Sequence, residues 1–126
     1  MNTIEFDISE YDDDFPILDF FNKVNGLSLN WKISYLYCVG DKASNIDILS
    51  LEKKVNNSLD GLYMSGVEVF EILSNIYQIY DITMAAMDKK DKELFVLEII
   101  DGGFVSLKYK DNWIIDQMNI VIDSIS

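Results

Sequence analysis

The sequence predicts an α+β domain: a mostly antiparallel sheet, built from a C-terminal three-strand meander and a long strand near 29–39, packed by helices. Three observations lead there. Residues 94–110 read as two β-rich runs joined at Asp101-Gly102-Gly103, a hairpin signal. Leu29, Trp31, Ile33, Tyr35, Tyr37 and Val39 recur at every second position, the period of a strand. Around these runs, apolar residues recur at helical spacing next to capping residues.

Taken in order, Ile4, Phe6 and Ile8 alternate with Glu5, Asp7 and Ser9, a short half-buried strand. Glu10 to Asp14 then leads into Phe15-Pro16. Proline is accepted in a first helical turn, and the carboxylates are expected to cap that helix and favour its positive end. Leu18, Phe21 and Val24 form its apolar stripe, and Gly26 stops it. The long strand follows, with one wet face near its start; Leu36 and Cys38 predict cover on both sides at its far end.

Asn45 is placed to cap a helix running to about Leu59, with Ile48, Leu51, Val55 and Leu59 on one face and Gly61 at its end. Ser65 and Glu68 have the spacing of a capping box. The helix they open buries Val69, Phe70, Leu73 and Ile76 or Tyr77. From Tyr77 the pattern turns β-like, and Tyr80, Ile82, Met84 and Ala86 are expected on one face. Asp111 or Asn112 caps a last helix carrying Ile114, Met118, Val121 and Ile125. The resulting order is β-α-β-α-α-β-β-β-α, one α+β domain over 1–126.

The hairpin register can be decided by counting. With a three-residue loop Ile100 faces Phe104, and Phe95, Leu97 and Ile99 share an apolar face with Val105, Leu107 and Tyr109. A two-residue loop would set Lys108 and Lys110 among those side chains. The three-residue loop is therefore expected, as a type I turn with Gly103 left-handed in a bulge.

Composition bounds the function. At 126 residues, with 49% hydrophobic and 13% aromatic content, the chain can bury a real core. It carries 22 acidic against 10 basic residues, a net charge of −12. Such a surface repels nucleic acid and anionic membranes and attracts basic proteins. The lone Cys38 forms no internal disulfide, and the first ten residues lack the basic and apolar regions of a signal peptide, so a cytoplasmic protein is expected.

With no histidine, there is no imidazole base, no Ser-His or Cys-His pair and no imidazole metal ligand. Cys38, inside a strand, reads as a small buried hydrophobe. Asp88, Asp91 and Glu93 lack the spacing and glycine of a calcium loop and read as a turn. Asp81, Glu98 and Asp101 could converge as a carboxylate pair, but Glu98 can instead meet Lys108 across the hairpin. The expectation is a protein without catalytic, cofactor-binding or metal-binding residues, and not an enzyme.

Binding has a clearer candidate. The residues through Asp19 hold seven acids and no base. Glu10, Tyr11, Asp12, Asp13, Asp14 and Asp19 are the predicted partner-binding residues, with Tyr11 the kind of side chain that anchors interfaces. Helix capping alone would use one or two of these carboxylates.

A small acidic α+β domain of this kind resembles the immunity proteins of bacterial contact-dependent inhibition and polymorphic toxin systems. The resemblance lies in 65–123: the capped helix at Ser65, a strand entering with Gln78-Ile79-Tyr80-Asp81, a hairpin with Asp101 at its turn, and a closing helix. It implies a protein that binds one cognate toxin, often a basic nuclease, and blocks its active site or substrate groove. Two other classes fit the charge: a DNA mimic occupying a nucleic-acid-binding protein, and an adaptor or regulatory subunit of an intracellular complex. The concentration of acids at the N-terminus fits a mimic less well, because a mimic spreads carboxylates at phosphate-like spacing.

Overall fold

The Asp101-Gly102-Gly103 hairpin organises the sheet. In the computed structural model, which describes residues 1–11, 14–39 and 47–125, Ile100 pairs with Phe104 and Leu97 with Leu107. The three-residue loop is therefore correct, and Phe95, Leu97, Ile99, Val105 and Leu107 are buried together. The turn itself differs from expectation. Asp101 (φ 52°) and Gly102 (φ 72°) are the left-handed residues, and Gly103 is not. The Asp101 N–H donates to Asp81 Oδ1 at 3.0 Å, and the Gly102 N–H donates to Tyr80 O at 2.8 Å. Those bonds hold an aspartate in a conformation that usually favours glycine. Gly103 has a different role: a Cβ there would meet Ser9 Cβ at 2.9 Å.

The strands are β1 (Asn2–Asp7), β2 (Asn30–Val39), β3 (Leu62–Ser65), β4 (Gln78–Met87), β5 (Glu93–Ile100) and β6 (Phe104–Tyr109). The helices are α1 (Ile17–Lys23), α2 (Ile48–Asn56), α3 (Gly66–Asn75) and α4 (Asn112–Asp123). The strands make one antiparallel sheet in the order β1-β6-β5-β4-β2-β3. The meander β4-β5-β6 and the long strand beside it match the sequence. The short edge strand β3 does not appear in the sequence pattern, because four residues, Leu62 to Ser65, run directly into the cap of α3.

One face of the sheet is covered. Trp31, Ile33, Leu36, Ile82, Met84, Phe95, Leu97, Val105 and Leu107 meet Phe20, Phe21, Val69, Leu73, Ile114, Met118 and Val121 from α1, α3 and α4. Trp31 is central: its ring stacks on Phe21 with centroids 5.4 Å apart and meets Phe95 edge-on at 5.7 Å. Its buried Nε1–H donates to Gly26 O at 2.9 Å, so the indole carries no unsatisfied donor. The capping box forms as expected, with Ser65 Oγ accepting from Glu68 N and Glu68 Oε1 accepting from Ser65 N. Gly66 is packed so tightly that a Cβ would clash with Gly26 O and Leu27 O.

The long strand departs from strict alternation. Its pairing with β4 shifts between Ile33 and Tyr35, so Trp31 and Ile33 are buried, and then Leu36 and Cys38. Tyr35, Tyr37 and Val39 fall on the uncovered face, which corrects the expectation that the far end is covered on both sides. The irregularity has a reason. It buries a leucine and a cysteine in place of two tyrosines whose hydroxyls would each need a buried partner. A second shift, between Tyr37 and Cys38, places Cys38 opposite Ile79 and Tyr37 opposite Asp81. Tyr80, between them on β4, lies against Tyr37 with ring centroids 5.4 Å apart, so it leaves the face of Ile82, Met84 and Ala86.

Helix α2 begins at Ile48 with Asp47 as its cap, whose carboxylate accepts from Ser50 N at 3.0 Å. The expected cap, Asn45, lies outside the described residues. Leu59 is beyond the helix and fully exposed rather than part of its buried stripe. Strand β3 pairs β2 only from Asn30 to Ile33, and α2 serves the edge beyond it: Asn56 bonds both backbone groups of Leu36, and Glu52 reaches the N–H of Cys38 at 3.5 Å. The spacing explains the match, since four helical residues rise about 6 Å and two strand residues about 6.8 Å.

Candidate partner-binding surface

The predicted acidic segment sits at one end of the sheet, just beyond β1. The Asp7 carboxylate accepts from the backbone N–H and hydroxyl of Ser9, which together hold it below the usual carboxylate range. Ile8 is buried, and its N–H donates to Gly103 O at 2.8 Å; Tyr11 N donates to Ile8 O at 3.0 Å. These contacts tie the segment to the β5–β6 turn while leaving Glu10 and Tyr11 exposed, Tyr11 at 46%. Asp12 and Asp13 lie outside the described residues.

Asp14 is exposed and borders a small cavity with Phe15, Tyr77, Ile79 and Gly102, which brings it to the same end. The cap position of α1 is Pro16, which makes no side-chain hydrogen bond; Asp19 is the acidic residue in the first turn, and two of the carboxylates expected to cap, Asp12 and Asp13, lie outside the described residues. Asp19 is placed elsewhere. It projects from α1 beside a groove shared with Asn22, Lys23, Ile120 and Ser124, in the helix layer. The structure thus groups Glu10, Tyr11 and Asp14 and separates Asp19 from the sheet's open face.

Residues from distant parts of the sequence join this end. The uncovered face reads as rows across the strands. In one row Tyr63, Lys32, Ala85, Val96, Lys108 and Thr3 are successive partners. In the next, Tyr35, Thr83, Glu98, Ser106 and Glu5 follow one another. The last contains Tyr37 opposite Asp81, then Ile100, Phe104 and Asp7, and it adjoins the acidic segment. The face is therefore polarised, with Lys32 and Lys108 in one row and Asp81, Asp101 and Asp7 towards the opposite end.

The same face is rich in exposed apolar surface. Tyr35, Tyr37, Val39, Tyr63, Ile100 and Phe104 are between 43% and 60% exposed. Between Ile100, Phe104, Glu5, Asp7, Glu98 and Asp101 lies a shallow depression of about 570 Å³. Exposed aromatic side chains and carboxylates therefore lie side by side at this end of the sheet.

The other chemical candidates are engaged locally. Glu98 Oε2 accepts from Thr83 Oγ1 at 3.3 Å, and Asp81 accepts from the turn. The Asp88 carboxylate accepts from the N–H groups of Lys90 and Lys92, which closes its loop as a turn and lowers its pKa. Burial, reinforced by the charge of Glu52, pushes the Cys38 thiol up to about 12, so almost none of it is thiolate near neutrality. No group of three or more potential metal ligands occurs among the described residues. No helix among them is long and apolar enough to cross a membrane.

Sequence reasoning located the acidic segment but missed the aromatic face. Its residues belong to strands β2, β3, β4, β5 and β6, and two irregularities in the β2–β4 pairing decide which tyrosines reach it. The doubled apolar pattern at Leu36 and Cys38 was the available signal. No protein-family model, no curated protein and no solved structure matches the chain.

Proposed function

We propose that this protein is an immunity protein: a cytoplasmic, non-catalytic inhibitor that binds a basic cognate toxin domain, such as a nuclease, and blocks its active site or substrate groove. The observation that supports this reading most is the placement of the acidic segment. Glu10, Tyr11 and Asp14 are exposed beside Asp7 and Asp101, where carboxylates from separate parts of the chain share one end of the sheet. Against a nuclease, these carboxylates stand where substrate phosphates bind and face its Lys and Arg side chains. The net charge of −12 speeds encounter with such a partner.

Co-expression tests the reading. The products of the genes flanking this chain's gene are each expressed with and without it, and growth is followed. Rescue of growth together with a co-purifying complex is the expected outcome. Unrelieved toxicity with no complex would contradict it.

A further inference from the structure

We infer that the open face of the sheet binds an arginine side chain of the basic partner, at a site formed by Tyr37, Tyr80 and Asp81. The inference rests on the reading above in taking the partner to be a basic protein, but it places the contact on different residues.

Three features of the site match a guanidinium group. Tyr37 and Tyr80 lie with ring centroids 5.4 Å apart at an interplanar angle of 43°, and Tyr37 is 53% exposed, so its ring is open to a planar cation. Asp81 is the pairing partner of Tyr37 and half-buried. Its Oδ1 accepts from the Asp101 N–H at 3.0 Å, which fixes the carboxylate on this face. A planar fork that stacks on a tyrosine and reaches an adjacent carboxylate is a property of arginine; lysine, a compact strongly hydrated point charge, gains less from the ring.

Charge selects among occupants. A second copy of this chain carries the same −12, and nucleic acid or an anionic membrane adds further negative charge. Ile100 and Phe104, exposed at 44% and 53% on the neighbouring strands, supply apolar surface that a protein would cover.

The probes are nona-arginine and nona-lysine peptides, matched in charge, titrated into the ¹⁵N-labelled full chain at fixed ionic strength. The arginine peptide is expected to bind at least five-fold tighter and to shift the amides of Tyr37, Tyr80 and Asp81. Tyr37→Leu, which keeps a strand-compatible side chain and the net charge, should remove most of that preference; Asp81→Asn, which keeps an acceptor for the Asp101 N–H, should weaken both peptides through the lost charge, and nona-arginine by the larger factor. Equal binding of the two peptides, or shifts confined to 10–19 with Tyr37→Leu silent, would overturn the site. So would a dimer in sedimentation equilibrium that Tyr37→Leu dissolves, which would assign the face to a second copy. Growth rescue by Tyr37→Leu at parental level would discard the arginine site while leaving the immunity reading intact.

Discussion

Asn56 completes the edge of β2 as another strand would: its Nδ2 donates to Leu36 O at 2.9 Å and its Oδ1 accepts from Leu36 N at 3.0 Å. A single side chain on a helix thereby satisfies both backbone groups of a buried strand residue where β3 has ended. An unsatisfied buried group costs about 1–3 kcal/mol, whereas a made hydrogen bond is worth about 1.

The clamp yields the first prediction. Asn56→Ala should lower stability by about 1–3 kcal/mol in urea unfolding, because it orphans two backbone groups. Asn56→Asp keeps an acceptor for Leu36 N but places a negative charge next to Leu36 O, so it should be destabilised as well. A freed edge also invites pairing between copies, so Asn56→Ala should show increased self-association by light scattering. Parental stability for Asn56→Ala would mean that solvent satisfies Leu36 equally well.

The sheet has one dry and one wet face, and truncations should report it. Leu97 and Leu107 are at most 1% exposed, so either one changed to alanine should cost about 2–5 kcal/mol. Val96 is half-buried on the other face and should cost clearly less as alanine. Similar urea midpoints for Leu97→Ala and Val96→Ala would contradict the one-sided burial.

What the sequence conveyed and what it withheld follow from where each decision is made. The β5–β6 register was legible because one slip would bury Lys108 and Lys110, a penalty visible in the residues themselves. The Ser65–Glu68 box was legible because its partners are three residues apart. The parity switch in β2 was not, because it depends on what packs above Leu36. Nor was the turn at Asp101, whose left-handed backbone is held by Asp81, 20 residues earlier. The acidic segment was visible as composition, but its union with Asp81 and Asp101 is a product of strand order. The same holds for Tyr37 and Tyr80, which no local spacing pairs.

Acid should loosen the start of α2. The Asp47 carboxylate accepts from the N–H and hydroxyl of Ser50, which lowers its pKa. A carboxylate with a depressed folded pKa contributes stability above its unfolded value, about 3.9, and loses it as pH falls through the lower folded value. Asp47→Asn still caps, so it isolates the charge. The difference in melting temperature between parent and Asp47→Asn should be constant near neutrality and shrink as pH falls below about 4. A difference that persists unchanged to the acid limit would show that the ionised carboxylate adds nothing.

On the proposed function, the acidic end of the sheet makes an electrostatically driven contact with a basic protein, and association kinetics with the proposed toxin partner test this most directly. In stopped-flow mixing, the parent should associate fast at low salt and slow steeply as ionic strength rises. Glu10→Gln with Asp14→Asn should chiefly slow association and flatten that salt dependence. Tyr11→Ala should accelerate dissociation and cost about 2 kcal/mol or more, with little change in melting temperature for any of these variants. Association indifferent to salt, with rates unchanged in both variants, would contradict the account and place the interface elsewhere on the molecule.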